Sequence, residues 1–175
     1  GMFAGFVLGA MGADFYPRLT AAIADRVAAV RLVNEQIEIG ILLVLPGLLA
    51  TIALAPLAIR ILYTAEFLPA AAMLPWFLVG VFGRVVSWPI GFIQHAKGAV
   101  RWFLATQALF AVIHVALILL LFPRYGLMGV AYAFVALYAL HAPIIMWVGS
   151  KLIGFQWSAQ VRTLLVRSAL AVALG

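Results

Sequence analysis

Charge in this chain is confined to narrow strips that separate long apolar runs. Residues 39–59, 102–123 and 125–150 carry no charged side chain, and 67–96 carries only Arg84. An α-helix rises about 1.5 Å per residue, so roughly 20 apolar residues cross the hydrocarbon core of a bilayer, and each run meets that length. A chain that is 67% hydrophobic and 9% charged, with mean hydropathy +1.21, cannot hide its apolar surface in water. The fold class is therefore all-α, a polytopic bundle of transmembrane helices.

The formal net charge of +6 is compatible with nucleic-acid binding in a soluble domain. Here the basic residues flank apolar spans, so they are read as topology signals and no nucleic-acid partner is expected. The absence of cysteine excludes disulfides and cysteine-ligated metals.

Along the chain, residues 1–13 read as the end of one span. Pro17 is expected to restart a helix, and residues 17–36 read as an amphipathic connector at the cytoplasmic surface. In it Ile23, Val27, Val30 and Val33 share one face, and Arg31 is spaced to pair with Glu35. Complete spans follow at about 37–59, kinked by Pro46 and Gly47, and at 68–94, bent by its Pro and Gly residues. Two more are expected at 102–122 and 127–148, joined by a tight turn through Pro123 and Gly126. Residues 163–175 open a further span. Both ends fall inside apolar runs, so the chain reads as a piece of a longer protein. Trp102, Tyr125 and Trp147 stand near expected membrane boundaries, where amphipathic rings reside.

Lys and Arg alternate by loop: three in 14–38, one in 60–66, two in 95–101, one in 123–126 and three in 149–167. By the positive-inside rule the first, third and fifth loops are cytoplasmic. The loops left outside are too short to fold into an external domain.

Arg84 is the leading candidate for function. A guanidinium deep in a span is costly in lipid, at least about 2.5–3.5 kcal/mol on insertion scales, so it should face protein or water. It shares a helical face with Ser87, Gly91, Gln94 and His95, a polar stripe suited to line a cavity. There Arg84 can hold a phosphate or diphosphate through paired N–H donors. Pairing with a carboxylate on another helix, or snorkelling, stands equally beside that reading. His114 and His141 are candidates for proton coupling, with a structural hydrogen bond the plainer alternative. Gly5 and Gly9 have the spacing of a close helix contact. No paired-carboxylate motif within a span, HExxH, P-loop or Gly-x-Ser-x-Gly is present, and Asp14, Asp25, Glu35 and Glu38 read as solvated ion-pair partners of the neighbouring arginines. No catalytic residue, metal or cofactor is expected, and the chain is not expected to be an enzyme.

The stretches MGADFYPRLTAAIAD and LVNEQIEIGILLVLPGLLATIALAPLAIRILYTAEFLPAA resemble the carboxy-terminal lobe of the O-antigen translocases. These are lipid-linked oligosaccharide flippases of the multidrug/oligosaccharidyl-lipid/polysaccharide exporter superfamily. Tyr16, Pro17 and Arg18, then Asn34 and Glu35, Pro46, and Ile61, Leu62 and Tyr63 with Phe67 carry the resemblance. SWPIGFIQHAKG (87–98) and YGLMGVAYAF (125–134) extend it. Thr64 and Ala65 stand where a glycine is common in that family. The resemblance spans roughly residues 12–150. It implies the second lobe of a two-lobe exporter in the bacterial inner membrane, partnered by an N-terminal lobe and by membrane lipids. Its substrate would be an undecaprenyl-diphosphate-linked oligosaccharide, moved outward without covalent change. A multidrug-type antiporter and the membrane anchor of a glycolipid-processing enzyme are the alternatives.

Overall fold

The structure, a computed structural model, describes residues 2–62 and 68–174, without the side chains of 2–4, 6–8, 55–62, 68–71, 169 and 172–174. The expected loop around Tyr63, Glu66 and Phe67 lies outside the described residues, as does the Arg60 side chain. Six α-helices make up what is described: α1 (Met2–Ala22), α2 (Arg26–Leu62), α3 (Leu68–Ala96), α4 (Val100–Tyr125), α5 (Leu127–Ile153) and α6 (Ala159–Leu174). Four of them, α2 to α5, are long and apolar enough to cross a membrane.

The first 60 residues divide differently from the expected pattern. Pro17 lies inside α1, which continues to Ala22, so no separate connector helix spans 17–36. The break falls at Ile23 to Asp25 because Asp25 caps the next helix. Its Oδ1 accepts the backbone N–H groups of Val27 (2.9 Å) and Ala28 (3.2 Å), two of the donors that a helix N-terminus leaves without partners. From there α2 runs unbroken through the expected boundary at residue 36, because one seam serves both parts. Ala29, Val33, Ile37, Ile41, Val44 and Leu48 recur every three or four residues, and all are buried. At about 55 Å, α2 exceeds the thickness of a bilayer core, so its charged first turns project past the apolar zone.

Glycine sets the three other described turns. Gly98, Gly126 and Gly154 all have positive φ, a region side chains other than glycine rarely enter. At Gly154 the N–H of Phe155 closes on Gly149 O, and the Phe155 ring is buried against the end of α5, a left-handed cap with its hydrophobic contact. The turn after α4 is tighter than expected, since Pro123, Arg124 and Tyr125 are helical and only Gly126 breaks the path. The last helix begins at Ala159, four residues ahead of its expected start.

In the bundle α3 lies between α2 and α5, α1 rests on α2 and α3, α4 packs mainly on α5, and α6 lies against α2. Two apolar clusters hold it. The larger joins Phe15, Ile37, Ile90, Ile93, Ile145 and Phe155, among others, from α1, α2, α3, α5 and the chain before α6. The smaller joins Val44, Leu48, Leu78 and Val85 along α2 and α3. Glycines permit the closest approaches: a Cβ at Gly80 would collide with the Phe134 ring, one at Gly83 would meet Tyr138 Cβ at 3.0 Å, and one at Gly149 would meet Ile90 at 3.1 Å.

The outer wall is α4. Only Thr106 and Phe110 on it are buried, while Leu104, Val112, Val115, Leu119 and Leu120 are exposed. Such a wall is stable against lipid and not against water. Successive helices reverse direction, so the turns at 23–25, 97–99 and 154–158 share one end of the bundle. That end holds most of the chain's Lys and Arg, and we call it the basic end.

Candidate functional site

Arg84 stands at the midpoint of the Ala72–Ala96 span, with about 18 Å of helix on either side. That exceeds the roughly 15 Å half-thickness of the hydrocarbon core, so snorkelling to an interface is remote for this side chain. It is exposed on the bundle surface and makes no ion pair or side-chain hydrogen bond among the described residues. The described carboxylates are Asp14 on α1, Asp25 in the turn that follows, and Glu35 and Glu38 on α2, and none is within ion-pair distance of Arg84. Asp14 and Glu35 are paired with Arg18 and Arg31 instead.

The polar stripe divides in two. At 100° per residue, Gly91 and His95 each fall within about 20° of Arg84, and Arg84 and His95 are exposed. Ser87 and Gln94 sit some 60–80° to one side and are buried. Ser87 Oγ donates within its own helix, 3.0 Å from Gly83 O. Gln94 Oε1 accepts from Thr106 Oγ1 at 3.0 Å, which ties α3 to α4 near the basic end. Those two residues brace the helix, and the accessible face carries the guanidinium and the imidazole. The His95 ring packs on Phe103 of α4, 4.3 Å between centroids, and on Phe92 at 5.7 Å.

The other two histidines stand on the neighbouring helices α4 and α5. His141 on α5 lies against Phe110 of α4 (4.2 Å between ring centroids), and Phe110 stands one turn before His114. His114 is half-buried. The Nδ1 atom of His141 is buried and has no hydrogen-bond partner among the described residues. A buried polar atom left without a partner destabilises the fold unless another group reaches it.

A second polar arrangement escaped the sequence reading. Asn34, buried on the α2 seam, donates from Nδ2 to Val30 O (2.9 Å) and to Gln156 O (3.0 Å), while its Oδ1 accepts the N–H of Ser158 at 2.8 Å. Ser158 Oγ lies 3.3 Å from Glu38 Oε1 and 3.0 Å from the N–H of Val161 in the first turn of α6. This clamp fixes the 154–158 segment to α2. It borders a groove of about 600 Å³ lined by Arg26, Arg31, Glu35 and Glu38 among others. The expected Arg31–Glu35 pair forms at 3.6 Å, and Arg18 pairs with Asp14 at 3.1 Å. Asp25 and Glu38, expected as ion-pair partners, serve instead as a helix cap and a clamp residue. The position of Asn34 on the 30–33–37 stripe was the available signal, since a buried amide on an apolar seam needs partners from elsewhere.

The fold and its exposed apolar wall define a multi-pass α-helical membrane protein. No protein-family profile, curated protein or solved structure matches the chain. No group of three or more His, Asp or Glu side chains arranged to hold a metal occurs among the described residues.

Proposed function

We propose that the chain is the second lobe of an exporter in the bacterial inner membrane that carries an undecaprenyl-diphosphate-linked oligosaccharide from the cytoplasmic to the outer leaflet. One observation carries the reading. Arg84 is exposed at the middle of α3, beyond easy reach of either interface and without an ion-pair partner among the described residues. Lipid is an expensive neighbour for it. Its face therefore meets an aqueous cavity or a facing bundle, as it does where two lobes enclose a transport path. The resemblance of residues 12–150 to the O-antigen translocases supplies the substrate class, and a guanidinium matches a diphosphate through charge-assisted, paired hydrogen bonds.

On this reading the protein makes and breaks no covalent bond. The Arg84 guanidinium holds the diphosphate while the two lobes rock, and His95 lies on the same face toward the basic end. Ser87 and Gln94 keep α3 in register with its neighbours. His114 and His141, on the neighbouring helices α4 and α5, are the groups for any proton coupling. A carboxylate-coupled antiporter fits less well, because the described carboxylates on a span, Glu35 and Glu38, stand in its N-terminal half and are engaged by Arg31 and Ser158.

The test is export of surface polysaccharide by the full-length protein in cells lacking their own copy, with membrane insertion checked by immunoblot. Arg84→Ala and Arg84→Gln should insert normally and abolish export, and Arg84→Lys should retain part of it. Export at the unmodified rate by Arg84→Ala contradicts the reading.

A further inference from the structure

A cleft of about 440 Å³ opens at the elbow between α5 and α6, distinct from the Arg84 face. Met146, Trp147 and Ser150 of α5 form one side, and Trp157 and Arg162 form the other. Its polar chemistry is one-sided. Arg162 is exposed in the first turn of α6 and has no ion pair among the described residues, Lys151 is exposed beside Ser150, and no carboxylate lines the cleft. The larger groove on α2 balances two arginines with two glutamates and so has no such preference.

Two further observations point to what enters. The indole Nε1 of Trp157 is buried and has no acceptor among the described residues, a donor that an incoming oxygen can satisfy. Trp147 forms an edge-to-face pair with Trp102, 5.5 Å between centroids, and both rings are exposed. That pair lies in the last turns of α5 and the first of α4, at the level where aromatic rings mark the membrane–water boundary. Below the cations, Pro143 and Met146 continue the cleft as apolar surface.

We infer that this elbow is a binding site for an anionic phospholipid of the surrounding leaflet, with the phosphate on Arg162 and the indole N–H of Trp157. Lys151 stands beside the headgroup, and Trp147 and Met146 line the acyl chains. Basic pockets between membrane helices on the cytoplasmic side have this chemistry. The site stands whether or not the transport reading does.

Native mass spectrometry of the full-length protein tests it, titrating phosphatidylglycerol against phosphatidylcholine. The unmodified protein should retain phosphatidylglycerol preferentially. Arg162→Ala should weaken retention about fivefold. Trp157→Phe, which keeps a ring and removes the donor, should weaken it about threefold. Arg124→Ala at the opposite end should change nothing. Equal retention of the two lipids overturns the site, and so does unaltered binding in both elbow variants. Loss in Arg162→Ala alone, with Trp157→Phe unchanged, replaces the cleft with diffuse surface charge. Displacement of the lipid by millimolar inorganic phosphate reassigns it to a soluble anion and overturns the proposal.

Discussion

Asn34 is one side chain with three hydrogen bonds, and two of them reach more than 120 residues along the chain. Replacing it by Ala leaves the N–H of Ser158 and the carbonyl of Gln156 without their partner, a loss of about 1–3 kcal/mol where such groups stay buried. Thermal unfolding of the full-length Asn34→Ala protein in detergent should show that destabilisation, and hydrogen exchange should quicken at 154–158. Unchanged exchange there would mean the clamp is dispensable. Thr106→Val should cost less, near the 0.6 kcal/mol average of interhelical bonds in membranes. Its hydroxyl is also within reach of its own helix, 2.9 Å from Trp102 O, so Gln94 is a shared partner. At this scale the sequence marked residue types well and partners poorly. Arg84 stood out because a charge inside an apolar run is visible in one dimension. Asn34 did not, because its partners lie at Gln156 and Ser158, and nothing local announces that meeting.

Helices pack here by their glycines. Gly80 faces Phe134 and Gly83 faces Tyr138 along the α3–α5 seam, and a Cβ at Gly129 would collide with the carbonyl of Leu121 beside the Gly126 turn. Gly80→Leu should therefore push α3 and α5 apart and cost about 1–3 kcal/mol or more, read as lower folded yield and melting temperature. Gly5→Ala and Gly9→Ala should be near neutral for this chain's fold, since a Cβ at either meets nothing within 4 Å. The spacing of Gly5 and Gly9 looked like a packing motif, yet the glycines that pack are Gly80 and Gly83, which the sequence suggested only as bends. Helix existence was legible from run length, and the spans at 68–94, 102–122 and 127–148 lie within α3, α4 and α5. The boundary between α1 and α2 was not legible. Proline at 17 looked like a start, but α1 carries it in its interior, and the cap that matters is Asp25. Asp25→Ala should loosen the first turn of α2 by about 0.5–2 kcal/mol, with Asp25→Ser or Asp25→Asn restoring most of it.

As a whole the molecule keeps its densest packing and both described ion pairs toward the basic end, and leaves α4 as a bare apolar wall. The positive-inside rule predicts that this end faces the cytoplasm. The chain holds no cysteine, so single cysteines introduced into the full-length protein report without background from this chain, provided any elsewhere are replaced. Cysteines at Lys97 and Lys151 should label from the cytoplasmic side and one at Arg124 from the other, and labelling of all three from one side would refute the arrangement. The central claim is that the middle of α3 looks onto water in the assembled protein while the middle of α4 looks onto lipid. The most direct measurement compares Arg84→Cys with Val112→Cys in intact membranes, using a water-soluble thiol reagent that reacts with the ionised thiol. Rapid modification is expected at position 84 and almost none at 112. Equal silence at both positions would contradict it, leaving Arg84 sealed within a protein contact and not on a path through the membrane.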